Sequence, residues 1–345
     1  MSAPFDSLAG MKELPLLPPA SLSRTAVDRS HVHRGGGIDA IWETGRARAV
    51  LAHRGTLLVS RGGLHLLDRK DVPEDSVMLY LGADGEGTHF VGGALTDEGR
   101  AAVDRRLAAE TDRDPEDLLT DPVGGLHATR PVWLGLRELG TRLSDRDVAL
   151  ATSLVAVGNW HATHTHSPRS GAPTHPAQAG WVRVDPEAGT EHFPRTDPAV
   201  IMAVVHTDAD GTERILLGSN ALWPDDRFSL LAGFVDPGET LESAVIREVE
   251  EEAGLRVRRP RYVGSQPWPF PASLMLGFTA EADSLEVHTN DEELTHLRWF
   301  TREELVEELR EGTVSVPDAV SIAGQIIAAW AGGLDPQTTG WSARG

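Results

Sequence analysis

Between Gly233 and Leu255 the chain reads GFVDPGETLESAVIREVEEEAGL, which sets Gly233, Glu239, Arg247, Glu248, Glu251, Glu252 and Gly254 at fixed offsets around aliphatic Val249 and Leu255. On a helix Glu248, Glu251 and Glu252 stand at i, i+3 and i+4, within an arc of about 100°. Carboxylates at that spacing repel one another, and a glutamate run by itself is an ordinary solvated helix face. The flanking Gly, Glu and Arg positions reverse that reading. A cluster of oxygen donors suits hard divalent cations, Mg2+ or Mn2+. Such ions polarise phosphoryl oxygens and activate water.

The cluster needs a helix with defined ends. Thr240 can cap its start and Glu242 suits the positive first turn, while Gly254 suits the stop. Val245, Val249 and Ala253 form the adjoining apolar stripe, expected to pack inward. Upstream, PAVIMAVVH and RILLGS read as two strands around a turn at Asp208 to Gly211. Downstream, Thr301 caps a short helix, and SVPDAVSIAGQIIAAWAGG reads as a final amphipathic helix.

The pattern G-x5-E-x7-R-E-U-x-E-E-x-G-U, with U aliphatic, resembles the Nudix box, and every fixed position is filled. Seven fixed residues at roughly 7% each give a chance match of about one in 10^8 per start site. The resemblance implies an α/β (α+β) fold, an α/β/α sandwich with a mixed sheet. It also implies hydrolysis of a diphosphate linked to another moiety. It places metal binding on Glu248, Glu251, Glu252 and Glu293 with the backbone carbonyl of Ala232, and gives Arg247 the task of orienting glutamates. Glu251 and Glu252 are both candidates for the group that takes the proton from water.

Ten residues past the box, SQPWPFPASLM carries three prolines, Pro267, Pro269 and Pro271. Each lacks an amide donor and fixes φ, and the residues before them are pushed out of the helical region. A stiff extended loop must therefore present Trp268 and Phe270. Alone, such a loop is a structural aromatic segment or a polyproline-type ligand. After a Nudix box, it resembles the signature of the NADH pyrophosphatases, and the resemblance covers about 155 to 330 and, weakly, the N-terminal unit. It implies substrate contacts at Phe193, Gln266, Pro267, Trp268, Pro269, Phe270, Pro271, Ala272, Ser273 and Ala323, and a homodimer. The implied reaction cleaves NAD(H) to AMP and nicotinamide mononucleotide. Removal of NAD caps from RNA 5′ ends and non-catalytic nucleotide sensing are the rival readings.

That subfamily often carries a four-cysteine zinc ribbon before its catalytic domain. Here the aligned positions hold Ser167, Ser170, Asp185 and Ala188, although His161, His164, His166, His175 and His192 lie close by. The expectation is a degenerate ribbon held by packing around Trp181 and Phe193, with no structural zinc, since a tetrahedral site needs four convergent ligands.

The 345 residues suggest about two domains: a mostly β N-terminal unit over 1–150, the ribbon-like linker over 151–195, the catalytic domain over 196–332 and a loose tail over 333–345. Within 1–150, AVLAHRGTLLVS, GLHLLD and SVMLYLGADGEGTHFVGGAL read as short strands. A capped helix begins near Ser144 and runs to about Trp160. His53, His65 and His89 read as structural. The chain has no cysteine and a formal charge of −20, which excludes disulfides and thiolate metal sites and disfavours duplex nucleic acid. No apolar run reaches about 18 residues, and the start lacks a signal-peptide pattern. A cytoplasmic location is the expectation.

Overall fold

A computed structural model describes residues 14–111, 130–289 and 294–332. The expected contributions of Glu293 and of the tail over 333–345 lie outside the described residues. The chain divides into two compact units, one of 21–196 with 267–273, the other of 1–20, 197–266 and 274–345.

In the first unit the elements are α1 (Gly37–Glu43), β1 (Ala47–His53), β2 (Thr56–Ser60), β3 (Gly63–Leu64), β4 (Val77–Ala83), β5 (His89–Ala94), α2 (Asp97–Thr111), β6 (Val132–Gly135), α3 (Leu136–Leu139) and α4 (Asp145–Thr163), followed by β7 (His175–Ala177), β8 (Val182–Asp185) and β9 (Thr190–His192). The sheet runs β3-β2-β1-β5-β4, with β6 paired to β2. It is mixed, because β1 and β5 are parallel whereas β1–β2 and β4–β5 are antiparallel. Arg54 and Gly55, both at positive φ, make the two-residue turn between β1 and β2, the conformation that twists with the strands. Val50 and Ala52 of β1 face a core shared with Val148, Ala151, Leu154 and Val155 of α4, while Ala49 and Leu51 face Val103 and Leu107 of α2. α4 starts where expected: the Ser144 hydroxyl accepts from the Asp147 N–H at 3.2 Å. It continues one turn past Trp160, and β6 and α3 lead into it.

β7, β8 and β9 form a small antiparallel sheet; a tight turn before β7 and the one between β8 and β9 have the same construction. The Ser167 hydroxyl accepts from the N–H groups of Arg169 and Ser170. Asp185 Oδ1 accepts from those of Glu187 and Ala188. The Ser170 hydroxyl then donates to Asp185 Oδ2 at 2.6 Å, tying one turn to the other. These bonds hold the Asp185 carboxyl below the usual carboxylate range. The expectation that Trp181 and Phe193 hold this segment is half corrected. Trp181 donates its indole N–H to the Tyr80 carbonyl at 2.7 Å and lies under the Arg34 guanidinium, but Phe193 is 64% exposed. The polar bridge through Asp185 takes its place.

The second unit contains β10 (Asp197–Thr207), β11 (Glu213–Asn220), β12 (Leu231–Phe234), α5 (Leu241–Ala253), β13 (Val257–Trp268), β14 (Ser273–Ala282), β15 (Leu294–Thr301), α6 (Arg302–Glu311) and α7 (Ile322–Trp330). The sheet order is β13-β14-β10-β11-β15, with β12 on β10. Alternation along β10 gives the sheet two apolar faces. Val200, Met202 and Val204 meet Ala244, Val245, Val249 and Ala253 of α5; Ile201, Ala203 and Val205 meet Ile322, Ile326 and Ile327 of α7 and Leu305 of α6. The result is an α/β/α sandwich. Each fully buried valine of α5 contributes about 1.5–3 kcal/mol.

Candidate active site

α5 is bounded by local chemistry. The Thr240 hydroxyl accepts from the Ser243 N–H at 3.2 Å, and Gly254 closes the helix at φ 64°, donating to the Glu250 carbonyl. Its apolar stripe fixes the helix rotation, and that rotation sets Glu248 against β12. β12 arrives antiparallel to β10, with Ile201 opposite Ala232 and Val200 opposite Gly233. A methyl group on Gly233 would lie 1.9 Å from the Glu248 carboxyl carbon. The first glycine of the motif is therefore the floor on which the Glu248 carboxylate rests.

Arg247 organises the cluster. Nε and Nη2 donate to the two oxygens of Glu239 at 3.0 and 2.8 Å, Nη1 donates to Glu248 at 2.8 Å and to Glu251 at 2.9 Å, and Nη2 also reaches the Phe234 carbonyl. The paired contact to Glu239 is the strong, planar kind. It lowers the proton affinity of Glu239 and raises that of Arg247. Glu248 moves the other way: burial raises its pKa, Arg247 opposes that, and the neighbouring Glu251 and Glu239 add to the rise. Glu251 has a side chain 58% exposed, whereas Glu252 is 7% exposed. Crowded carboxylates with only oxygen donors fit a hard cation in donor chemistry. Among the described residues no group of three or more His, Asp or Glu is arranged as a metal cage. Arg247 supplies the countercharge here.

The second set of expected site residues divides. Gln266 is fully buried: its amide donates to the Val320 carbonyl at 2.6 Å and its carbonyl accepts from the Ile322 N–H at 2.7 Å. It anchors the start of α7 and faces away from solvent. Ala323 is likewise inside the α7 core. Trp268 and Phe270 are half-buried and meet edge to face at 5.1 Å. Pro269 is buried, Pro271 exposed, and Ala272 and Ser273 lie between these extremes. Sequence reading missed Arg137, whose guanidinium lies 4.4 Å from the Phe270 ring, and Asn159, which donates to the Pro269 carbonyl at 3.0 Å. Both are more than a hundred positions from the loop, so no spacing rule could have linked them. Glu239, singled out only as a motif position, proves to be the main partner of Arg247.

The NUDIX domain model matches residues 197–318, and the model of the NADH pyrophosphatase-like rudimentary NUDIX domain matches 46–160. The chain thus pairs a NUDIX domain with an N-terminal domain that matches the NADH pyrophosphatase-like rudimentary NUDIX model. It is 48% identical over 205 residues to the NAD-capped RNA hydrolase NudC of Mycobacterium bovis (strain BCG / Pasteur 1173P2), a match covering 57% of this chain and 64% of that protein. The same figures hold for NudC of Mycobacterium tuberculosis (strain ATCC 25618 / H37Rv). It is 40% identical over 302 residues to the NAD-capped RNA hydrolase NUDT12 of Homo sapiens, covering 77% of this chain and 60% of that protein. The chain thus spans somewhat under two thirds of the length of these relatives. No helix among the described residues is long and apolar enough to cross a membrane.

Proposed function

We propose that this chain is a hydrolase that opens the diphosphate of NAD(H) with water, giving AMP and nicotinamide mononucleotide, oxidised or reduced. The observation that carries this reading is the carboxylate cluster of α5, ordered by Arg247 and seated on Gly233. In the reaction a P–O bond of the anhydride breaks, the water oxygen joins phosphorus, and the water's proton passes to Glu251 or Glu252. Glu248, Glu251 and Glu252, with Glu293 and the Ala232 carbonyl, would hold Mg2+ or Mn2+, which when bound polarises the diphosphate and acidifies water. Arg247 is committed to four acceptors and acts by orienting them. Phe193 and the loop from Pro267 to Ser273 would recognise the bases, Trp268 and Phe270 by stacking. Gln266 and Ala323, being buried, would act by positioning.

A second reading, removal of the NAD cap from RNA 5′ ends, is favoured by the names of the relatives. The charge of −20 disfavours long RNA contacts while leaving recognition of the cap open. The chain is also proposed to work as a homodimer, which light scattering on eluted protein would check. The deciding experiment incubates the protein with NADH, NAD+ and NAD-capped RNA in Mg2+ and in Mn2+ and separates the nucleotide products. AMP with the mononucleotide is expected. Failure to turn over any substrate with either ion would leave a nucleotide sensor on a Nudix scaffold. Competition between free NADH and capped RNA ranks the two enzymatic roles.

A further inference from the structure

The three prolines leave the loop from Pro267 to Ser273 poor in amide donors. Within it, the Phe270 N–H donates to the Trp268 carbonyl at 2.7 Å. What fixes the loop comes from the rudimentary Nudix domain. The Asn159 amide, on α4, donates to the carbonyls of both Pro269 and Pro271, at 3.0 and 3.4 Å. The Arg137 guanidinium, on α3, lies 4.4 Å from the centre of the Phe270 ring and 5.2 Å from that of Trp268. A cation over two π faces is attracted to both, and among the described residues Arg137 makes no ion pair that would compete. One side chain thus clasps the backbone of the loop, and the other holds its two rings.

We infer that Arg137 and Asn159 are positioning residues that pre-shape the aromatic loop for base recognition, so that the rudimentary domain acts as a specificity element for the reaction. This rests on the proposed role of Trp268 and Phe270 in recognising the dinucleotide. Pre-ordering a loop strengthens binding by removing the ordering cost from the binding step. Its loss therefore falls on KM, while the carboxylates of α5 keep their arrangement. Both positions tolerate truncation sterically. Arg137 is exposed, and Asn159 lines an open cleft of about 560 Å³ together with Pro271, Leu154 and His53, so removing its amide leaves solvent-filled space.

The test compares Asn159→Ala, Arg137→Ala and Arg137→Lys with the parent protein in NADH hydrolysis, hydrogen exchange of the loop amides and thermal melting. Both alanine variants should raise KM about tenfold with kcat within about threefold, speed exchange at Trp268, Phe270, Ala272 and Ser273 about tenfold, and melt within a few degrees of the parent. Arg137→Lys keeps a cation over the rings and should recover most of the lost KM. Unchanged KM and exchange would overturn the inference, as would a fall in kcat that tracks a fall in melting temperature. If the parent protein does not turn over NADH, the functional proposal fails separately. The exchange rates then still decide whether these two residues hold the loop.

Discussion

Gly233 and Arg247 both control Glu248, one by leaving room and the other by donating a hydrogen bond. Gly233→Ala would set a methyl group where the Glu248 carboxylate lies. Its kcat should fall at least tenfold while far-UV circular dichroism stays unchanged; near-normal turnover would show that Glu248 moves without penalty. Glu252→Gln keeps shape and removes charge, so kcat should fall about 100-fold or more, with folding intact because a like-charge cluster is relieved. Parent-like turnover of that variant would remove Glu252 from the mechanism. At this scale the sequence was informative wherever function sits in a local pattern. The helix that carries Glu248, Glu251 and Glu252, its Thr240 cap and its Gly254 stop were all legible, because i, i+3 and i+4 spacing translates directly into a helix face. The reason for Gly233 was not, since it depends on how closely β12 approaches α5.

At the scale of elements, α4 is locked to β8 by a buried polar chain. Arg183 donates to His161 Nδ1 at 3.0 Å and to the hydroxyl and carbonyl of Thr174, and His161 Nε2 meets the Gly180 carbonyl at 2.7 Å. Burial, reinforced by the Arg183 charge, lowers the His161 pKa from 6.5 to about 4, against the pull of Gly180. The folded state therefore resists a proton that the unfolded chain accepts. The stabilisation is complete above about pH 6.5 and is lost as pH falls toward 4, on the order of 3 kcal/mol in all. Melting followed from pH 7 to pH 4.5 should decline steadily, and His161→Gln should flatten the decline; equal slopes for both proteins would refute the assignment. None of this chain could be read from the sequence, where His161 was one of several neighbouring histidines and no structural zinc was expected. Burial and partner identity separate a structural histidine from a ligand, and both are tertiary properties. The capped start of α4 and the period-2 strands were legible because they depend on neighbours in sequence.

For the whole molecule, the Asp185 bridge between the two turns argues that folding does not depend on metal. Untagged protein purified without added metal should contain well under one zinc per chain by mass spectrometry. EDTA should abolish turnover while leaving the melting temperature nearly unchanged. Stoichiometric zinc together with unfolding in EDTA would point instead to a histidine-based ribbon. The same bridge has a consequence for redox chemistry. A ribbon of thiolates is a target for peroxide, which oxidises sulfur step by step and expels the metal. Here a hydroxyl and a carboxylate stand in that place, and the chain has no cysteine at all. Oxidative stress that would unravel a thiolate ribbon should leave this one folded.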